Sequence, residues 1–377
     1  MPTTPQGLVP ASRPGRPISR RDLVVSAGLL AAFGAARAVP AAAAPEAATA
    51  TPAAGLDPAL LEATLARAAA LPNLHALLVA RAGAEQVGQV FRGPGLDRPV
   101  NVKSVSKSVM SALAGAAIAR GVLEGVDQWI APLLGELVPA DADPRVGAIT
   151  IDHLLTMRAG LERTSGRNYG RWVNSRDWVR FALSRPFVDE PGGRMLYSTG
   201  SYHLLSAALT RAAGRSTLEL AREWLGAPLG IDIPPWTRDP QGFYLGGNNM
   251  ALAPRALLRF GEMYRHGGTY GGARVLPASW IEASWTPRVR SRFTGHQYGY
   301  GWFIARARGR PVRYAWGYGG QMIYVVPDLA LTVVMTSDPT GPSGRNGYVR
   351  ELHALLAQGI VPAVERGATA PGSPDRA

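Results

Sequence analysis

Cysteine is absent from this chain of 377 residues, which excludes disulfides, thiolate-held metals and a cysteine nucleophile. Lysine is nearly absent too: only Lys103 and Lys107 occur, and every other basic side chain apart from histidine is arginine. The six histidines (His75, His153, His203, His266, His296 and His353) stand far apart, with no His-Glu-x-x-His, so the clustered ligands of a zinc hydrolase are missing. No Gly-Lys pair is available for a Walker-type phosphate loop. No serine carries glycine both two residues before and two residues after it, as the nucleophile turn of an α/β-hydrolase requires. No apolar run reaches the roughly 20 residues that cross a bilayer. The expectation is a chain that needs no metal or cofactor and has no stable membrane span.

What remains is a globular composition, 46% hydrophobic and 18% charged, long enough for a sizeable core. The net charge of +13 comes from arginines spread thinly along the chain. They read as solvated surface and not as a nucleic-acid footprint, because no run of five or more like charges occurs. Residues 1–44 read as an export signal. Paired arginines, Arg20-Arg21, precede a short apolar run from Leu23 to Ala36, and small residues follow at Ala36-Arg37-Ala38 and Ala41 to Ala44. A basic start, apolar middle and small-residue end is the pattern of a secretory segment, and the arginine pair is like the twin-arginine kind. The expected location is therefore periplasmic or extracellular. Residues 45–55, rich in Ala, Pro and Thr, read as a linker, and residues 363–377 as a disordered tail.

The stretch around which the rest is organised is Asn101-Val102-Lys103-Ser104-Val105-Ser106-Lys107-Ser108-Val109-Met110. If it opens a helix, Ser104 and Lys107 share a face. Val109, Met110, Leu113, Ala117 and Ile118 continue at helical spacing and Gly121 supplies a stop. Serine is a weak nucleophile until a neighbour takes its proton, and a lysine of lowered pKa one turn on can do that. At the helix start, backbone N–H groups favour the oxyanion of acyl transfer. Ser-x-x-Lys is the signature of penicillin-recognising serine enzymes. In an arginine-rich chain, a retained lysine points to a site that an always-protonated guanidinium cannot serve.

Upstream, Asp57 caps a helix with Pro58 in its first turn, and His75 to Arg92 reads as a hairpin turning at Arg81-Ala82-Gly83-Ala84. The middle of the chain is largely helical, with a helix from Ser201 to Ala213 that stops at Gly214. The last third returns to strands, Tyr298 to Ala305, Arg313 to Trp316, Met322 to Val326 and Leu329 to Thr336, before a final helix from Gly347 to Ile360. Strands at both ends with helices between predict one antiparallel sheet built from both chain ends, plus a helical insertion.

Two further elements carry chemistry. Tyr197 stands just before a helix, after Gly192-Gly193, and beside a lysine ammonium its phenol would ionise more readily and could exchange a proton with Ser104. Trp316-Gly317-Tyr318-Gly319-Gly320-Gln321 runs into a strand, where glycines admit a ligand to the backbone. An N–H at Gln321 would then join that of Ser104 in an oxyanion hole.

Together, Ser104-x-x-Lys107, Tyr197-Ser198-Thr199 and Tyr318-Gly319-Gly320, with His153 to Leu161 and Trp236 to Gly242, make residues 56–362 resemble the serine β-lactamase-like family. That family comprises class C β-lactamases, D-alanyl-D-alanine carboxypeptidases, lactamase-fold esterases and 6-aminohexanoate-oligomer hydrolases. The resemblance is strongest to the last two. It implies an α+β fold: an antiparallel sheet flanked by terminal helices (about 56–120 and 245–362) with an all-helical insertion domain (about 121–244), and the site between them. It also implies Ser104 as nucleophile, Lys107 as its activating partner, Tyr197 as general base and acid, and Thr199, Tyr318, Gly319 and Gly320 as substrate contacts. Thr199 replaces the asparagine and Tyr318 the lysine that lactamases carry, so an amide and a cation for a β-lactam are missing. The reading is an exported serine hydrolase acting through an acyl-enzyme on small esters or amides. The alternatives are β-lactamase or carboxypeptidase activity, or a catalytically inactive exported binding protein of the same fold.

Overall fold

A computed structural model describes residues 55–341 and 347–367. The expected export segment, the linker as far as residue 54 and the tail from residue 368 lie outside the described residues. The first helix, α1 (Pro58–Ala69), begins where the sequence places it: the Asp57 side chain accepts from the Leu60 N–H at 2.9 Å and Pro58 takes the first position. The hairpin of β1 (Leu74–Arg81) and β2 (Ala84–Val90) turns at Ala82 and Gly83, both at positive φ (50° and 88°), the handedness that matches strand twist. After the short β3 (Val100–Asn101), a turn of 3-10 helix at Lys103–Val105 leads into α2 (Ser106–Ala119).

From there to β4 (Ala251–Leu252) the chain is helix and loop: α3 (Ile130–Leu134), α4 (Ile151–Leu155), α5 (Tyr169–Val173), α6 (Trp178–Leu183), α7 (Thr199–Ala213), α8 (Thr217–Ala221) and α9 (Ala227–Leu229). The longest, α7, ends at Gly214 in the left-handed conformation, the usual helix stop. Next come α10 (Pro254–Arg265), the small ribbon β5 (Thr269–Tyr270) and β6 (Ala273–Arg274), and α11 (Ala278–Trp285).

The chain then returns to the main sheet through β7 (Val289–Arg290), β8 (Gln297–Tyr298), β9 (Phe303–Ala307), β10 (Arg310–Gly317), β11 (Gln321–Val326) and β12 (Leu331–Ser337). All eight strands pair antiparallel in the order β2-β1-β12-β11-β10-β9-β8-β7. The two chain ends therefore meet at the β1–β12 pair. One expected strand is divided: Tyr298 to Ala305 is broken at residues 299–302, where Gly301 adopts a φ of 78°. That turn lies against α2, with Ser108 Oγ donating to Gly301 O at 2.6 Å and Ser111 Oγ to Tyr300 O at 2.8 Å. The final helix also runs further than expected. Tyr348–Ala354 (α12) continues through a wider turn at Leu355–Ile360 into α13 (Val361–Gly367), so residues 363–367 are helix and not tail. The apolar Val361, Ala363 and Val364 are buried, and the Asp57 N–H donates to Ala363 O.

β11 and β12 are buried along their whole length because helices cover both faces. A Cβ on Gly261 of α10 would meet Ile323 and Thr332, whereas Tyr324, one residue on, reaches His353 of α12 with its hydroxyl 3.1 Å from Nδ1. Successive side chains of a strand point to opposite faces, so α10 and α12 lie on opposite sides of the sheet. Among the described residues no helix is long and apolar enough to cross a membrane.

In α2, Gly115 is buried mid-helix, and a Cβ there would lie 2.4 Å from the Trp280 ring. Helix propensity favours Gly115→Ala by about 1 kcal/mol, whereas overpacking costs about 1–3 kcal/mol. We expect packing to win, so the variant melts a few degrees lower. A Tm at or above wild type would show that Trp280 moves aside freely.

Candidate active site

Ser104 lies in the 3-10 turn that precedes α2, two residues before the α-helix proper. The turn is pinned from both sides. Asn101 Oδ1 accepts from the Lys103 N–H at 2.9 Å; Ser106 Oγ donates to Lys103 O at 2.5 Å and accepts from the Met250 N–H at 3.1 Å. The N–H of Ser104 belongs to a first turn, where no preceding helical carbonyl is available to it.

Lys107, one turn on, is 1% exposed. Its Nζ lies 3.0 Å from Ser104 Oγ, 2.6 Å from Gly247 O and 3.5 Å from Thr199 Oγ1, over the Tyr197 ring at 4.8 Å from the centroid. No carboxylate pairs with it among the described residues. Burial without an anion disfavours the ammonium and brings the lysine pKa down to about 7. Glycine makes the Gly247 contact possible. A Cβ on Gly246 would lie 1.9 Å from Tyr202 O, and one on Gly247 3.0 Å from Tyr202 Cβ, so only glycine lets this loop run along the α7 backbone. Its approach is held by Asp239 on His203 (2.9 Å, both side chains wholly buried) and by Ser206 Oγ donating to Tyr244 O at 2.7 Å.

Tyr197 stands two residues before α7, whose first turn is stitched to the loop before α5. Thr199 N–H donates to Ser165 Oγ and Gly200 N–H to Thr164 Oγ1, each at 2.8 Å, and Thr164 N–H donates to Ser198 Oγ at 3.1 Å. The structure corrects one expectation here. The phenol does not ionise more readily: enclosure of its hydroxyl pushes Tyr197 up to about 12, and a hydrogen bond with Ser104 offsets only part of that. The lysine beside it, with a pKa of about 7, carries its full charge only below neutrality. Of the two groups beside Ser104, Lys107 has the pKa nearer neutrality.

The third motif divides. Tyr318 is 52% exposed and lines the cleft. Gly319 and Gly320, expected among the substrate contacts, do not. Their positive φ values (87° and 102°) serve the β10–β11 turn, and Cβ atoms there would meet Asp338 O at 2.4 Å and the Tyr348 ring at 2.6 Å. The space that glycine leaves is filled by the protein's own chain. Gln321 pairs with Gly317 at the hairpin end, and its side chain is tied to Ser337 through bonds of 2.8 and 3.1 Å, leaving only its backbone for an oxyanion. Gly317 lets this end of β10 approach the nucleophile segment: a Cβ there would lie 2.3 Å from Val102 O.

These elements enclose a cleft of about 550 Å³ that brings together Ser104, Tyr197, Thr199 and Tyr318, with Lys107 behind Ser104. Its remaining walls include Lys103, Arg163, Ser165, Tyr169, Asn248, Phe293 and Trp316. Phe293 stacks on Trp316 at 5.4 Å and 10°, and Asn248 Nδ2 donates to the Tyr169 hydroxyl at 3.0 Å. Asn248 places an amide in the cleft, from a loop far from Thr199 in sequence. Sequence reasoning missed most of these walls. Lys103 alone had a signal, as the chain's other lysine. A larger cavity, about 650 Å³, lies beside Glu85, Arg255, Glu262 and His266 and holds none of the expected site residues. Among the described residues no group of three or more His, Asp or Glu could hold a metal ion.

Ser104, in the turn that leads into the buried helix α2, is bonded to an enclosed and unpaired lysine beside the end of β10, the Ser-x-x-Lys arrangement read from the sequence. The comparisons agree. The sequence model of the Beta-lactamase family matches residues 75–358, and the chain belongs to that family. Solved structures with the same fold include a putative 6-aminohexanoate-dimer hydrolase from Bacillus anthracis (TM-score 0.67, 17% identity, 83% of each chain covered). A putative beta-lactamase from Bacteroides dorei has a TM-score of 0.69 and 18% identity, covering 81% of this chain and 99% of that one. EstCE1, a hydrolase with promiscuous acyltransferase activity, has a TM-score of 0.63 and 18% identity, covering 83% and 97%. A curated relative, a probable fimbrial assembly protein FimD of Dichelobacter nodosus, is 35% identical over 144 residues, 36% of this chain and 35% of its own length. The chain thus spans about a third of the curated relatives it matches.

A lysine acting as base is competent only when neutral. We expect kcat/KM to rise from acid pH through about 7 and then level, following Lys107; a flat profile between about pH 5 and 9 would contradict this. The same burial sets a stability signature. Folding lowers the lysine pKa, so its cost to stability is full below about pH 7 and shrinks as pH rises toward the unfolded value near 10.4. The Tm of Lys107→Met relative to wild type therefore improves as the pH falls from about 9 to 6. A difference independent of pH would mean that Lys107 stays charged in the fold.

Proposed function

We propose that the protein hydrolyses small esters, and less readily linear amides, through an acyl-enzyme on Ser104. The observation that carries this reading is the 3.0 Å contact between Ser104 Oγ and a buried Lys107 whose pKa lies near 7. In the neutral amine, the two N–H bonds serve Gly247 O and Thr199 Oγ1 and the lone pair faces Ser104. As Oγ attacks the substrate carbonyl, its proton passes to Lys107. The oxyanion is met by the N–H groups of Ser104 and Gln321. Tyr197, still protonated and bonded to Ser104, passes a proton to the departing alkoxide or amine and is recharged from Lys107. Water then attacks the acyl-enzyme by the reverse route, releasing the acid and restoring the Ser104 hydroxyl. Esters are favoured over amides because an alkoxide or phenoxide leaves more easily than an amine. β-Lactams are disfavoured because Tyr318 gives only a neutral hydrogen bond where that motif would hold a cation, and charge-assisted bonds are roughly twice as strong.

The test is a panel of p-nitrophenyl butyrate, nitrocefin and a linear amide. Ser104→Ala abolishes turnover and fluorophosphonate labelling while remaining folded, because it removes one hydroxyl that caps neither the 3-10 turn nor α2. Lys107→Arg is nearly as damaging as Lys107→Ala, since a guanidinium cannot give up its proton. Tyr197→Phe costs roughly 10²–10⁴-fold. Wild-type turnover by Ser104→Ala, or a higher kcat/KM on nitrocefin than on the butyrate, would sink the reading; absence of labelling would favour an inactive binding protein.

We also propose that residues 1–44 direct export, on the strength of the Arg20-Arg21 pair before its apolar run. Changing the pair to Lys-Lys traps precursor inside the cell, because a receptor reads the arginines and not charge alone. Unchanged export would point to another route.

A further inference from the structure

Thr199 stands where lactamases carry asparagine, and its hydroxyl has partners of its own. The residue is 4% exposed. Its Oγ1 lies 3.5 Å from Lys107 Nζ on one side and 3.0 Å from Ser165 Oγ on the other. Ser165 is half-buried and lines the cleft. An enclosed amine, a buried hydroxyl and a hydroxyl at the cleft wall thus form a single file from Lys107 towards solvent.

The donors in this file can all point outward. A Lys107 N–H donates to Thr199 Oγ1. Ser165 Oγ already accepts the Thr199 N–H at 2.8 Å. With the Thr199 O–H donated to it as well, both of its lone pairs are filled and its own O–H is left for the cleft. A hydroxyl accepts a proton and releases another, whereas a carbonyl such as Gly247 O has no hydrogen to pass on.

Lys107 needs an exit of this kind at one step. A nitrophenoxide departs as a stable anion and carries no proton away. The proton taken from Ser104 then stays on Lys107, and an ammonium cannot activate the water that attacks the acyl-enzyme. Ser104 Oγ, now an ester oxygen, has no hydrogen to exchange. The other groups around Nζ are Gly247 O and the face of the Tyr197 ring. Among the described residues, the remaining polar contact is Thr199 Oγ1. An alkoxide leaving group makes no such demand, because Tyr197 protonates it and draws the proton from Lys107.

We propose that Thr199 and Ser165 form a proton relay that discharges Lys107 in the acyl-enzyme and so lets esters with acidic leaving groups turn over. The ammonium proton passes from Lys107 Nζ to Thr199 Oγ1, the Thr199 hydrogen to Ser165 Oγ, and the Ser165 hydrogen to water in the cleft. Rotation of the two hydroxyls then restores the starting arrangement with Lys107 neutral. The relay rests on the hydrolase reading above and deepens it.

Two esters test it. p-Nitrophenyl butyrate and ethyl butyrate give the same butyryl-Ser104, but the first leaves Lys107 charged and the second leaves it neutral. The ratio of kcat on the nitrophenyl ester to kcat on the ethyl ester falls about tenfold or more in Thr199→Val and in Ser165→Ala. A burst of nitrophenol precedes the slowed steady state, and Thr199→Ser restores the ratio. A hindered base such as 2,6-lutidine raises the ratio in Thr199→Val by collecting the proton, and leaves that of wild type as it is. A ratio unchanged in both variants, or not restored by Thr199→Ser, overturns the relay, since a merely structural loss slows both esters together. Exchange of the Lys107 ammonium hydrogens with water, followed by NMR of isotope-labelled lysine, reads the relay without turnover. In Ser104→Ala, which removes the other hydroxyl in contact with Nζ, adding Thr199→Val slows this exchange about tenfold or more. If wild type hydrolyses neither ester and the exchange still slows, the hydrolase reading fails and the relay stands; exchange at an equal rate overturns the relay itself.

Discussion

An ammonium group buried without a carboxylate is the constraint on which the rest of this structure depends. Lys107 is given a carbonyl, two hydroxyl oxygens and an aromatic face, but no anion. A carboxylate in place of Gly247 O would hold the lysine charged and leave Ser104 without a base. A solvated lysine would do the same. The low pKa therefore follows from what surrounds the lysine and equally from what does not, and its cost is carried by a core large enough to bear it.

The surrounding elements are arranged to keep that environment closed. Gly246 and Gly247 bring a backbone carbonyl against α7, His203 and Asp239 hold the loop in place, and Thr164 and Ser165 cap the first turn of α7 so that Tyr197 stays over Lys107. On the other side, Ser108 and Ser111 tie α2 to the turn between β8 and β9. The sheet gives these parts a rigid reference, since β12, from the end of the described chain, pairs with β1 from its beginning.

Much of this was legible in the sequence where a local pattern carries its own physics. Asp57-Pro58 announced a helix start, Ala82-Gly83 a hairpin turn, and Ser104-x-x-Lys107 a shared helical face. What could not be read was set by partners distant in the chain. The acceptor for Lys107 is a backbone carbonyl 140 residues on, and carbonyls carry no residue signature. Gly319 and Gly320 look like room for a ligand, but the room is taken by Asp338 and Tyr348. The direction of the Tyr197 shift depended on burial, which the sequence does not give. Residues 363–367 looked like tail because their composition is unremarkable, and packing alone makes them helix.

The most direct test is to titrate Lys107 itself. A chain with only two lysines gives two signals when isotope-labelled lysine is followed by NMR, and Lys103→Gln assigns them. The account predicts that the Lys107 signal titrates near 7 in the folded protein. A value near 10.4, that of an unperturbed lysine, would contradict it and remove the base from the site.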